Sequence, residues 1–160
     1  MEINSSGTEI VIGNCPQVAD FHVNCWNGEN QFCSVGDGTT LEGVHIVLGE
    51  TDSAVRIGKN CMFSSGIHIW PTDGHALLDR KIGRPLNKPA GPVTVGDDCW
   101  VGHQAYLTKN ARIPNHTVVG ARAVVTKPFT EEYTVLAGFP AKVIRTGIAW
   151  SRQTASQLSR

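Results

Sequence analysis

The chain has 160 residues, with 14 Lys and Arg balancing 14 Asp and Glu. That length suits a single domain over 1–160 with a core of its own and leaves little room for a second. A 41% hydrophobic and 18% charged composition excludes a disordered chain, and zero net charge argues against a dedicated nucleic-acid binder.

The first ten residues, MEINSSGTEI, carry neither a basic segment nor an apolar run, so they do not read as a signal peptide. No stretch approaches the ~18 apolar residues of a membrane span, and a cytoplasmic protein is expected. From Ile12-Gly13 and Val18 onward a pattern builds. It returns at Val35-Gly36, Leu41 and Val47, pauses at a small insertion around 50–54, and resumes at Ile57-Gly58, Phe63 and Ile69. A long loop, about 70–92, interrupts it. Beyond the loop, aliphatic residues fall six apart at Val95, Val101, Leu107, Ile113, Val119 and Val125. Small residues, Cys99, Ala105, Ala111, Thr117 and Ala123, stand four places after the first five of them. The repeats end at Lys127-Pro128, and the tail, about 146–160, suits a short helix.

A period of six fits neither a helix at 3.6 nor a free strand at 2. It fits a short strand and a sharp corner, three times per coil, with the aliphatic residue pointing in and the small residue at the corner. Gly38, Asn60, Asp98, Asn110 and His116 all fall three places after an anchor, and these residue types tolerate the positive φ of a corner. The fold class is therefore all-β, a parallel β-helix of hexapeptide repeats with coils of 18 residues. Val95 should stack on Ile113 and Val101 on Val119. A loop as long as 70–92 in a compact domain is a candidate for function.

The neutral total hides two unlike halves. Residues 1–55 hold eight acids and no Lys or Arg, and residues 56–160 hold fourteen bases and six acids. The basic half is expected to meet an anion, or else to attract the acidic half. Five cysteines without a C-x-x-C pair read as free thiols.

The segments SSGIHIWPTDGH, PVTVGDDCWVGHQAYLTKNARIPNHTVVGARAVVTKPF and AGFPAKVIR resemble the sugar O-acetyltransferases of the hexapeptide family. TDGHALLD with the later Asn87 is most similar to capsular-polysaccharide and sialic-acid O-acetyltransferases. The likeness is specific over about 55–147 and rests only on irregular repeats before that. It implies a left-handed helix, against the general right-handed preference of parallel crossovers. It also implies acetyl transfer from acetyl-CoA to a hydroxyl of a sugar or polysaccharide, and a homotrimer with active sites between subunits.

Acyl transfer to a hydroxyl needs a base near neutral pH, the work of an imidazole. The resemblance makes His75 that base, with Asp73 or Asp79 orienting it or merely capping a turn. Trp100 precedes an inward anchor, so it should face out; in the resembled enzymes it lines the donor cleft. Backbone donors near Gly102-His103 and Gly120-Ala121 would hold the pantetheine and the oxyanion. Lys127, Lys142 and Arg145 match the family's basic groups near the coenzyme A phosphates. Trp70, Arg84 and Asn87 are the candidate acceptor contacts, and the +2 bias of the loop suits an anionic sugar. His22, His45, His68 and His116 read as structural. VGHQAYLT also resembles a coil of the γ-class carbonic anhydrases, where a second ligand His follows five places after the first. Here that place is Thr108, so no metal is expected. The alternatives to an O-acetyltransferase are that metalloenzyme and a non-catalytic scaffold.

Overall fold

The computed structural model describes residues 2–159, so Met1 and the last residue of the expected tail, Arg160, lie outside the described residues. Three sheets form the faces of a prism. The first face stacks Glu2–Ser6, Phe21–Glu29, Val44–Leu48, Ile67–Trp70, Tyr106–Thr108 and Val124–Val125. The second stacks Glu9–Ile12, Phe32–Val35, Ala54–Ile57, Val93–Val95 and Arg112–Ile113. The third runs from Gln17–Val18 through Thr40–Leu41, Met62–Phe63, Trp100–Val101 and Val118–Val119 to Val135–Gly138. Ala141–Arg145 closes the third face as its one antiparallel strand.

The register follows the repeat. Val95 pairs with Ile113, Val101 with Val119, and Leu107 with Val125. The anchors pile into a continuous core: Val23, Ile46, Ile69, Leu107 and Val125 on one face, and Leu41, Phe63, Val101, Val119 and Leu136 on another, all buried. Cys61, Cys99, Ala105, Ala111, Thr117 and Ala123 are buried at the corners, where nothing larger fits.

The corners take the left-handed conformation at the expected places. Asn60, Asp98, Asn110 and His116 have φ of 54–66° and Gly38 has 73°, with Gln104 and Arg122 alike at equivalent positions. Glycine after an anchor has a different cause, close approach of successive coils. A Cβ on Gly36 would sit 2.7 Å from the carbonyl carbon of Gly58.

Two expectations are corrected. The anchor after Leu41 is Ile46, which pairs with Ile69, rather than Val47. The turn from third to first face is one residue shorter in that coil, and Val47 faces outward yet is buried. Nor do the repeats end at Lys127-Pro128. Phe129 caps the core above Ile113, its N–H donating to the Arg112 carbonyl, and Leu136 adds a rung on Val119.

The tail carries a single helical turn, Ala155–Leu158. Ahead of it, Trp150 Nε1 donates to the Asp98 carbonyl and Arg152 to Thr40 Oγ1 and the Cys61 carbonyl, both at 2.9 Å for Arg152, so the tail is tied across three coils. No helix among the described residues is long and apolar enough to cross a membrane.

Candidate active site

The long loop leaves the prism after Trp70, at the corner between first and second faces. Its outer part is a hairpin arm: Leu86 N–H donates to the Leu77 carbonyl at 2.7 Å and Asp79 N–H to the Arg84 carbonyl at 2.8 Å. Asp79 Oδ1 accepts the N–H groups of Lys81 and Ile82, so this carboxylate shapes the tip of the arm. Leu77, Leu78, Ile82 and Leu86 are 57–67% exposed there, and Arg84 is exposed beside them.

The root of the loop is a clamp built on Asn87. Its Nδ2 donates to Asp73 Oδ2 and to the His75 carbonyl, each at 2.9 Å, and its Oδ1 accepts the Leu77 N–H at 2.9 Å. Lys109, on the next coil, ion-pairs with Asp73 and donates to the Lys88 carbonyl at 2.9 Å. These partners, Lys109 first and then Asn87, hold the Asp73 carboxyl below its ordinary range. Glu50 ties the far end by accepting the Ala90 N–H.

The clamp fixes the backbone of His75 and leaves its side chain exposed, with no hydrogen bond to the ring from any described residue. Glu50, His75, Asn87, Lys88 and two prolines line a cavity of about 310 Å³. Within one chain neither Asp73 nor Asp79 reaches the imidazole; each has other partners. Trp70 stands at the loop root with its ring 6.2 Å from Tyr106 and its buried Nε1 without an acceptor.

The second group of candidate residues lies on a different edge, the corner from third to first face. Trp100 faces outward between Met62 and Val118, as its place before an anchor requires. Trp150 of the tail tilts against it at 6.3 Å, and Trp100 Nε1 is buried without an acceptor. Gly102 and Gly120 spend their N–H groups on the Val119 and Leu136 carbonyls. His103 and Ala121, both exposed residues at this corner, have N–H groups with no backbone acceptor among the described residues. Gly102 must be glycine, because a Cβ would lie 2.8 Å from the Ala121 nitrogen. His103 Nδ1 is 3.0 Å from Ser65 Oγ.

The three basic candidates are not gathered at one point. Lys142 and Arg145 lie exposed on the closing antiparallel strand of the third face. Lys127 leaves the first face above Lys109, its ammonium 5.5 Å from the Phe129 ring centre.

Sequence reasoning missed Lys109 and Glu50. Both sit at the first-to-second corner, where the insertions conceal how coils align. It also missed the alignment of His22, His45 and His68, although their equal spacing of 23 residues was a visible signal.

No family model matches the chain. A Saccharomyces cerevisiae protein assigned to the acetyltransferases, YJL218W, is 30% identical over 145 residues, 90% of this chain and 67% of its own length. The solved polysialic acid O-acetyltransferase OatWY superposes with a TM-score of 0.66 at 22% identity, covering 94% of this chain and 92% of that one. A hexapeptide-repeat acetyltransferase of Vibrio cholerae O1 biovar eltor, solved with acetyl coenzyme A, superposes at 0.53 with 20% identity, covering 88% of this chain and 70% of that one. The solved relatives are left-handed β-helices, and the prism described above shares that fold. Against three further curated relatives the chain spans only 27–53% of their length.

Proposed function

The chain belongs to the hexapeptide-repeat acetyltransferase family, and on that premise we propose that it transfers the acetyl group of acetyl-CoA to a hydroxyl of a sugar or polysaccharide, a sialic acid polymer being the first acceptor to try. The observation that carries the reading is the clamped loop. Its backbone is fixed by Asn87, Asp73 and Lys109, while the His75 imidazole stays exposed and unbonded. A fixed backbone with a free ring suits a general base that must meet an incoming hydroxyl.

In the proposed reaction His75 takes the hydroxyl proton as the oxygen attacks the thioester carbonyl. The carbonyl electrons move onto oxygen, where the N–H groups at His103 or Ala121 receive them. The tetrahedral intermediate then collapses, the C–S bond breaks, and coenzyme A leaves with the proton returned from His75. Direct transfer is preferred to an acyl-cysteine because four of the five thiols are buried and the fifth, Cys15, is distant in the first coil.

Loop and donor corner lie on different edges of one prism, so the reading needs two copies. A homotrimer in which the loop of one subunit reaches the corner of the next supplies this. Trp100 would wall the donor cleft, Lys142 and Arg145 would face the phosphates, with Lys127 the outlier of the set, and Trp70 and Arg84 would touch the acceptor. Asp73 and Asn87 act through the loop backbone as positioning residues. A cytoplasmic location fits the five free thiols. The carbonic-anhydrase alternative finds no support at Thr108, whose hydroxyl donates to the Val125 carbonyl.

A screen of sugar acceptors with acetyl-CoA, read as release of free thiol, tests the proposal. An acceptor-dependent release that vanishes in His75→Ala is expected. A chain that neither binds coenzyme A nor releases thiol with any acceptor would leave the scaffold reading standing.

A further inference from the structure

A concavity of about 750 Å³ forms a trough running down the third-to-first corner toward the N-terminal coils. One wall is a ladder of imidazoles. His22 pairs in register with His45 and His45 with His68, and Tyr106 continues the column one coil higher. Ring centres stand 6.4, 5.5 and 5.9 Å apart along the ladder. The floor is Gly43 and Gly66, which have no side chain to fill the trough. Its upper end lies below Ser65 and His103, since Gln104 N–H donates to the Ser65 carbonyl from the coil above. The trough thus leads to the corner where the donor is proposed to bind.

We propose that this trough holds an extended saccharide chain, the polymeric acceptor, with one imidazole per coil hydrogen-bonding its hydroxyls. The inference rests on the acetyltransferase reading and names the acceptor's track.

Three features favour a saccharide. Successive rungs repeat at about 4.8 Å, giving a regular row of polar groups suited to a repeating chain. The imidazoles also present both hydrogen-bonding senses. Asn24 Nδ2 donates to His45 Nε2 at 3.1 Å, leaving His45 Nδ1–H outward as a donor. His22 Nε2 meets Asp20 Oδ1 at 2.9 Å as a donor, leaving its Nδ1 to accept when neutral. A sugar hydroxyl does both. Burial first, then the neighbouring His68 and His22, hold His45 below its ordinary range, so it meets the chain as a neutral partner. Finally, the stacked His68 and Tyr106 rings give an apolar step at the upper end. Metal binding is the poorer reading: strung one per coil, no three His, Cys, Asp or Glu side chains among the described residues converge as a metal site would need.

The test is the double variant His45→Ala/His68→Ala, with His22→Ala as a second background. Binding is measured without donor against polysialic acid, hyaluronan and linear glucan oligomers, each beside its own monosaccharide. At least one polymer should bind the wild type tenfold or more tighter than its monosaccharide. The double variant should lose that advantage while its melting temperature and the monosaccharide Kd hold. In turnover, KM for that polymer should rise about tenfold with kcat changed less than twofold. The proposal is overturned if no polymer outbinds its monosaccharide, or if the double variant keeps the advantage. A polymer that binds through the ladder while no acceptor at all releases thiol would refute the acetyltransferase reading and leave the trough assigned as a saccharide site; a ladder-bound polymer left unacetylated while another acceptor turns over would overturn the trough as the acceptor's track.

Discussion

Replacing Asn87 by Ala isolates the clamp from the chemistry it serves. The side chain makes three hydrogen bonds, to Asp73, to the His75 carbonyl and from the Leu77 N–H. A hydrogen bond contributes about 0.5–1.5 kcal/mol net, and Asn87 is half-buried, so the lower half of that range applies to each. Together they stabilise the clamped loop by about 2 kcal/mol, a factor of roughly 30 in its closing equilibrium. The anchors of the core are untouched, so the melting temperature should hold within about 2 °C. Exchange of the Leu77 amide hydrogen should speed up about 30-fold, because its acceptor is gone and the arm opens locally. Acetyl transfer, read as thiol release, should fall by up to that factor, with the KM for donor unchanged. Wild-type turnover together with a deprotected Leu77 amide would sever the link between clamp and catalysis. An unchanged Leu77 amide would refute the clamp itself.

His75→Ala should lower acetyl transfer by about 10²-fold or more, the range for losing a general base, with no change in melting temperature; near wild-type turnover would dismiss His75 as the base. The Asp73 carboxyl has a lowered folded-state pKa, so its stabilising contribution to the loop is complete above its ordinary value of 3.8 and is lost as the pH falls through the lower folded value. Proteolysis of the arm by an acid-active protease should therefore accelerate below about pH 4 in the wild type and be high and flat in Asp73→Asn. Cys25, Cys33, Cys61 and Cys99 are buried, and burial pushes the Cys33 thiol up to about 12, so native thiol titration should count at most Cys15, with all five reacting after denaturation. Light scattering should give a trimer, and a monomer would remove the shared site.

What could be read from the sequence follows from where the prism tolerates insertion. From second to third face the anchors are six apart in all five coils: Ile12 to Val18, Val35 to Leu41, Ile57 to Phe63, Val95 to Val101 and Ile113 to Val119. From third to first they are five or six apart. From first to second they are 12, 11, 26 and 6 apart, as Val23 to Val35, Ile46 to Ile57, Ile69 to Val95 and Leu107 to Ile113 show. The period was plain only in the coil with no insertion at that corner, which is why residues 95–125 announced the fold and residues 1–54 did not. His75 and Trp100 were legible because the motif around each is local. Lys109 and Glu50 were not, because a contact between coils is fixed by the whole length of the intervening turn. Glu50, in the acidic half, holds the far end of the long loop through the Ala90 N–H by a contact of that kind.

This unequal tolerance also explains the division of labour between edges. Each face is locked by inward anchors, and a slip of one residue would turn a buried side chain out to solvent. Chain length can vary only at a corner, and here it varies by more than one residue at only one of them among the five coils. That edge grows the arm, with its exposed apolar tip and its clamped histidine. The third-to-first edge keeps its length nearly constant, so its backbone stays close-packed, with Gly43 against Gly66 and Gly102 against Gly120. An edge of that kind can cradle a thin substrate, and the other can project a base toward one. One prism holds both halves on separate edges, so in the proposed enzyme a complete site exists only where two copies meet. Mixing His75→Ala chains with chains altered at the corner, Gly102→Val, should then restore part of the activity that each lacks alone. No recovery after the two are refolded together would contradict a site shared between subunits.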